Sequence, residues 1–404
     1  MTAKTRKIAG GLLGILALST VGFFAFAPGY FEAQTNQIDG LPLPEVSDEA
    51  RALHATLEIV DLHSDTLLWK RDLLDRAGRG HMDLPRLEDG NVALQLFSSV
   101  TKSPEGQNYD SNSGDTDQIA QLVMAQLQPV RTWNSLLERS LYHAAKLERA
   151  AKGSNGKLWL VRSADDLGKL EAARAKVEAP KPVGAIFSAE GLQNLEGDIA
   201  NLDKLYDAGM RMAGLTHFFD NDLAGSMHGE AKGGLTPLGR QVVQAMEDKG
   251  IVVDIAHCSR QCVADVLAIA RRPVVSSHGG VQATCKVNRN LTDDEIRGVA
   301  ATGGLVAIGY WDGAVCDTSP ASVAAAMKHV HDLVGIEHLA LGSDYDGATT
   351  VRFDTSQLVQ VTQALMDAGL SEAEIRAAMG GNALRVLREG LVPLAELPAP
   401  EAAD

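Results

Sequence analysis

Eight short apolar runs, each separated from the next by helix-like amphipathic sequence, constrain this chain more than any other feature. They are EIVDLH (58–63), VALQLF (92–97), VGAIFS (183–188), MRMAGLTH (210–217), IVVDIAH (251–257), PVVSSH (273–278), LVAIGY (305–310) and HLALGSD (338–344). A run that stays apolar on successive positions has no wet face, so it belongs in a parallel sheet covered by helices on both sides. Eight such βα units predict an α/β fold, a closed (β/α)8 barrel of the TIM type, over residues 51–390. The rival, an open doubly wound sheet, is disfavoured because no G-x-G-x-x-G follows any of the runs.

With 404 residues and 45% hydrophobic content, the chain is long and apolar enough for one large barrel. Its formal net charge of -15 argues against nucleic-acid phosphates or anionic headgroups as the main partner, since both would be repelled. A small-molecule substrate fits better.

The amino terminus carries Lys4, Arg6 and Lys7, followed by Ile8 to Ala27 without a charge. That length matches the roughly 20 residues a helix needs to cross a bilayer, so residues 1–27 are expected to be a membrane anchor or signal segment. Ala25-Phe26-Ala27 resembles a cleavage signal, but Pro28 follows it directly, which favours an uncleaved anchor over secretion. The basic cluster then stays cytoplasmic and the rest lies on the extracytoplasmic, periplasmic side. Residues 28–50, rich in Pro, Gly, Asn and Asp, read as a linker. In that oxidising compartment Cys258, Cys262, Cys285 and Cys316 could pair, with connectivity left open, or remain buried small residues.

The segment from about 100 to 182 is too long for one βα connection and is expected to be an insertion capping the barrel mouth. It holds a polar stretch, a long helix from Gln118 to Ala151 and a short LWLVRS strand. Ser371 and Glu374 form a capping-box signature for a last helix through Leu387, and residues 391–404 should be loose.

Reactive groups in such a barrel belong at the carboxyl ends of the strands. The first run ends in His63 and Asp65, the third leads to Glu190, the fourth ends in His217, the fifth in His257, the sixth in His278 and the eighth in Asp344. Residues i and i+2 of a strand face the same way, so His63 and Asp65 can reach one ion together. Each residue alone has a plainer explanation. His257 or His278 could be a hydrogen-bonded strand-end histidine, His217 a polar rim residue, Glu190 a helix cap, Asp344 and Asp346 turn aspartates, and Arg289 a solvated charge. Together they are harder to explain without a divalent cation, because buried unpaired carboxylates are costly. Five ligand candidates, His63, Asp65, Glu190, His257 and His278, exceed one open tetrahedral site and suit two metals sharing a bridge. This makes the barrel one of the metal-dependent hydrolase kind. Zinc suits these donors best, and manganese or cobalt also fit. His54, His81, His143, His228, His329, His331 and His338 lie off the strand ends and receive no ligand role.

The motifs DLHSD, GHMDLPRL, SAEG, GLTH, DIAHCS, SSH with RNLTDDEI downstream, GSDYDG and GGNALRVL, in this order over residues 55–390, resemble the membrane (renal-type) dipeptidase family of zinc peptidases. The resemblance implies two Zn2+ per chain, one bound by His63 and Asp65, the other by His257 and His278, with Glu190 as bridge. It implies that His217 stabilises the oxyanion, Arg289 holds the substrate carboxylate, and Asp344 shuttles the proton. It also suggests a Cys285–Cys316 disulfide. A second copy of the chain, in a homodimer, is a separate candidate partner. The implied activity is hydrolysis of dipeptides by metal-activated hydroxide. Animal members are held by a C-terminal lipid, whereas any anchor here is N-terminal.

Two rivals are weaker. Barrel amidohydrolases acting on acylated amino acids or cyclic amides often bridge their metals with a carboxylated lysine, and no lysine ends any of the eight strands. A tethered binding protein without catalysis has no need of a complete ligand set.

Overall fold

The structure is a computed structural model that describes residues 3–176 and 181–396; the side chains of residues 3 and 6–17 lie outside the described set. All eight runs form strands: β1 (Ile59–Asp61), β2 (Val92–Phe97), β3 (Val183–Ala189), β4 (Met210–Gly214), β5 (Val252–Asp254), β6 (Val275–Ser276), β7 (Leu305–Ile308) and β8 (Leu339–Leu341). Each pairs in parallel with the next, and Leu341 of β8 pairs with Asp61 of β1 to close the barrel. Every strand residue is buried, as expected for runs without a polar alternation.

Strand pleating sends successive side chains to opposite faces. Val60, Leu94, Ile186, Met212, Val252, Val275, Leu305 and Ala340, one from each strand, gather in a single apolar cluster with Val386 and Leu387 of the last helix. The alternate residues pack against the surrounding helices in a larger shell. Strands sit so close at the mouth that a Cβ on Gly342 would lie 1.8 Å from the Ser277 carbonyl oxygen, so only glycine fits just before Ser343 and Asp344.

Two helix expectations need correction. The expected helix from Gln118 to Ala151 is two helices, Gln118–Ala125 and Leu136–Gly153, with a short turn at Val130–Thr132 between them. Leu127 adopts φ 56°, Pro129 cannot continue a helix, and Ser135 caps the second helix by accepting from the Glu138 amide. The last helix does begin with the Ser371–Glu374 capping box, but it passes through a π-helical stretch at Ala377–Gly381 before resuming at Asn382–Gly390. Gly380 lies against the Glu58 carbonyl there, where a Cβ would approach to 1.8 Å.

The insertion has two parts. Val100, Tyr109, Ile119 and Leu122 line the cavity at the barrel mouth, while helix Leu136–Gly153 and strand Leu158–Leu160 belong to the barrel body, the strand pairing with β3. At the other end, Leu391 is buried and Arg272 donates to the Glu389 carbonyl at 2.7 Å. The rest of the expected tail, residues 397–404, lies outside the described residues.

Residues 28–50, expected as a linker, are held against the barrel. The helix Ala3–Thr35 carries Glu32 into a buried pocket, where Arg71 Nε donates to it at 2.5 Å and Arg79 Nε at 2.7 Å. The Arg71 guanidinium also donates to Asp346. Asp346 is therefore more than a turn residue, and it further accepts from Thr66 Oγ1 at 2.6 Å. Gln37–Ile38 then runs as a short parallel strand beside Thr350–Val351. Among the described residues, no helix is long and apolar enough to cross a membrane; the expected anchor over residues 1–27 falls largely on side chains outside that set.

Candidate active site

The structure brings all the expected strand-end residues to one place. His63 and Asp65 follow β1, Glu190 follows β3, His217 follows β4, His257 follows β5, His278 follows β6 and Asp344 follows β8, each at a carboxyl end. His63 Nε2 lies 3.6 Å from Asp65 Oδ1, 3.6 Å from Glu190 Oε1 and 3.8 Å from Asp344 Oδ1. Glu190 Oε1 is 2.8 Å from His257 Nε2 and 3.1 Å from His278 Nε2, while Glu190 Oε2 is 3.6 Å from His217 Nε2. His63 and His278 stack with ring centroids 3.8 Å apart. All seven residues are buried.

Hydrogen bonding settles which imidazole atoms face inward. Ser277 Oγ donates to Asp254 Oδ2 at 2.5 Å, so its lone pairs are left to accept from His278 Nδ1 at 2.9 Å. His278 Nε2 is then a bare lone pair, aimed at Glu190 and at His257 Nε2. His217 donates through Nδ1 to the Lys102 carbonyl at 3.2 Å, which leaves its Nε2 facing Glu190.

A divalent cation fits this set. Among the described residues, ligand atoms converge within 4.8 Å in three overlapping groups: His63, Asp65 and Glu190; Glu190, His217 and His257; and His63, His278 and Asp344. His63 Nε2, Asp65 Oδ1 and Glu190 Oε2 are buried without a hydrogen-bond partner, the condition a metal relieves. The charges point the same way. Burial, joined by the neighbouring Glu190 charge, pushes Asp65 up to about 6, and burial also drives Asp344 well above the usual carboxylate range. Burial opposes ionisation of Glu190 as well, but the facing imidazoles of His217 and His63 outweigh it and hold this carboxyl well below its usual range. Three carboxylates can share so dry a space fully ionised only when a cation compensates them.

Two of these residues sit on strained backbone. His257 and Asp344 have φ of 65° and 57°, a left-handed conformation that costs a non-glycine residue about 1–2 kcal/mol. Arg289 is buried too, not the solvated charge of its plain reading. Its Nη2 donates to the His278 carbonyl at 2.9 Å, and its guanidinium lies 5.8 Å from the Trp311 ring centre. Asp65, Glu190, His217, His257, Arg289 and Asp344 all line one cavity of about 950 Å³.

Sequence reading missed a layer behind the ligands. Asp61 accepts from the His63 amide at 3.1 Å and from the Ser343 amide at 3.0 Å; Asp254 accepts from the Ala256 amide at 2.9 Å and the Ser277 amide at 3.0 Å. Each ties its own strand to a serine of a neighbouring strand and so fixes the histidine that follows. The signal was present: an aspartate inside an otherwise apolar run must find buried donors.

Comparison with known proteins supplies the assignment. The family model described as membrane dipeptidase (peptidase family M19) matches residues 47–393. The chain belongs to the membrane dipeptidase family. It is 33% identical over 350 residues to dipeptidase aclJ of Aspergillus oryzae, covering 81% of this chain and 77% of that protein. The fold matches the probable dipeptidase PvdM of Pseudomonas aeruginosa with a TM-score of 0.69 at 21% identity, covering 85% of this chain and 98% of the other. It also matches a metallopeptidase of Rhodobacter sphaeroides liganded with a phosphinate mimic of the dipeptide L-Ala-D-Ala, with a TM-score of 0.67, 22% identity and coverage of 82% and 99%. As a metallopeptidase of this family, the chain is a hydrolase, and the Cys285–Cys316 disulfide that the resemblance implied is formed. Cys258 and Cys262 are free and buried.

Proposed function

We propose that this membrane dipeptidase family member hydrolyses the peptide bond of dipeptides with two zinc ions, one held by His63 and Asp65, the other by His257 and His278, and Glu190 between them. The observation that carries the reading is the convergence of His257 Nε2 and His278 Nε2 on one oxygen of Glu190, with His63 facing the same carboxylate. Zinc bound there supplies Lewis acidity at the scissile carbonyl and lowers the pKa of water toward neutrality.

The remaining work falls to the chain itself. Arg289, with a planar fork of donors, holds the terminal carboxylate of the substrate and limits substrates to short peptides with a free end. His217, its Nδ1–H held by the Lys102 carbonyl, presents Nε2 to the site and, carrying a proton there as an imidazolium, steadies the developing oxyanion, a type of contact worth about 3–4 kcal/mol. Asp344, a buried carboxylate with raised proton affinity, takes a proton from the attacking water and returns it to the leaving amine.

The test is metal analysis of the purified protein together with a release assay on Gly-Xaa dipeptides, acylated amino acids and cyclic amides. Two zinc ions per chain and cleavage confined to dipeptides are expected. A stoichiometry near one would remove the bridging role of Glu190.

We also propose that residues 1–27 direct the enzyme to the extracytoplasmic side, anchored or secreted. The uncharged run behind Lys4, Arg6 and Lys7 and the Cys285–Cys316 disulfide support this reading. Fractionation of cells with and without residues 1–27 tests it, and cytoplasmic recovery of the full chain would refute it.

A further inference from the structure

The cavity at the barrel mouth has one wall that the shared family domain does not supply. Family similarity begins at residue 47, yet Phe23, Ala27, Pro28, Tyr30, Phe31 and Thr35 of the N-terminal helix line the same cavity as Glu190, His257 and Arg289. This wall is fixed in place. The Glu32 carboxylate is clasped by Arg71 and Arg79, Ala348 donates its amide to Asn36 Oδ1 at 2.8 Å, and Gln37 donates its amide to the Thr349 carbonyl at 3.1 Å.

The wall is apolar and incompletely covered. Phe31 is 47% exposed and Tyr30 is 69% exposed, and the Phe31 ring lies 6.1 Å from that of Trp69. Leu68 and Trp69, just after β1, and Ile119 and Leu122, in the connection after β2, complete the groove. Arg289, by contrast, follows β6 on the far side of the barrel from β1 and β2. A volume of about 950 Å³ is at the upper end of what drug-sized ligands occupy, so two small residues leave much of it unfilled.

We propose that Phe31 and Tyr30, beside Leu68 and Trp69, form a specificity-determining subsite for a large apolar side chain on the amino-terminal residue of the dipeptide. The assignment to that end rests on the proposed function, in which Arg289 holds the carboxylate: a substrate anchored there and cleaved at the metal cluster projects its amino-terminal residue toward β1 and β2. Burying a phenylalanine-sized side chain in such a groove favours binding enough to change selectivity by about tenfold or more.

The experiment compares kcat/KM of the zinc-loaded, full-length enzyme and its Phe31→Ala and Phe31→Leu variants on Phe-Gly, Leu-Gly, Gly-Phe and Gly-Gly. In the wild type, Phe-Gly and Leu-Gly are expected to exceed Gly-Gly. The ratio of kcat/KM for Phe-Gly over Gly-Gly should fall about tenfold in Phe31→Ala, mainly through KM, and less in Phe31→Leu. An active Phe31→Ala enzyme with an unchanged ratio overturns the subsite alone, and a loss confined to Gly-Phe overturns its assignment to the amino-terminal residue. A wild type that cleaves none of the four dipeptides overturns the proposed function along with it. A measurement free of variants is amide hydrogen exchange of residues 23–35 in the wild type. A phosphinate analogue of Phe-Gly should slow exchange there more than the Gly-Gly analogue, and equal protection by the two refutes the subsite.

Discussion

His257 Nε2 and His278 Nε2 face each other at 3.0 Å. With the His278 lone pair fixed inward by Ser277 and both atoms within 3.1 Å of Glu190 Oε1, only a proton on His257 Nε2 or a cation can offset the crowding of acceptors, and a cation offsets it more fully. Metal removal should therefore loosen the barrel mouth. Chelation is expected to lower the thermal midpoint by several degrees, and zinc to restore it, since ligand at roughly 100 times its Kd adds about 2.7 kcal/mol. Calorimetry with and without chelator checks this; an unchanged midpoint would contradict the ligand assignment.

Glu190→Gln keeps the shape of the side chain but removes the shared charge. Metal content should drop toward one ion per chain, and kcat/KM on a Gly-Xaa dipeptide by about three orders of magnitude, in keeping with the several kcal/mol such cation chemistry supplies. Metal analysis and steady-state kinetics on the same sample give both numbers.

Asp254 touches no substrate, yet through Ser277 it sets the tautomer of His278. Asp254→Asn should weaken zinc affinity by about 10–100-fold, the range for outer partners of metal ligands. Activity at saturating zinc should recover most of its wild-type value, which zinc titration separates from a general folding defect.

Arg289→Ala should raise KM by about 10–100-fold, as befits a lost charge-assisted contact, and change kcat less. Arg289→Lys keeps the charge without the fork and should restore only part of the loss. Equal kinetics for wild type and alanine variant would remove Arg289 from the substrate site.

His143, far from the ligand cluster in role, predicts the acid limit of stability. Burial, aided by Lys146 and Arg139, lowers its pKa from the usual 6.5 to about 3, and its Nδ1 pairs with Ser99 Oγ at 2.8 Å. The unfolded chain then binds a proton between about pH 6.5 and 3 that the folded chain refuses. Stability from this group is complete above pH 6.5 and declines as pH falls below it, by up to about 1.4 kcal/mol per pH unit. His54 and His228, lowered by burial to about 4 and about 3, add to the same trend. Urea denaturation across pH 4.5 to 7.5 measures the slope, and His143→Gln should reduce it by this group's share.

Much of the architecture was legible because the strands are apolar on both faces and six of the eight lead into a polar group, so period and chemistry coincide at the same positions. His63, Glu190, His257 and His278 were found that way, and the structure gathers them. The long helix from Gln118 failed where Pro129 and the Ser135 cap reset the chain, a local signal that apolar periodicity overrode. The docking of residues 28–50 was not legible at all. Glu32 is bound by Arg71, 39 residues on, and Arg71 by Asp346, 275 residues further still, and no local pattern announces such partners. Asp61 and Asp254 were visible but read as part of their strands rather than as supports for the histidines.

The helix Ala3–Thr35 is continuous through Pro28, and its last turn leads directly into the pairing with Thr350–Val351, six residues beyond Asp344. A catalytic body joined to so stiff a rod, and not to a slack leash, cannot swivel on it. Whatever grips the first turns of that rod also sets the compass bearing of the opening, so substrates must arrive from one fixed direction.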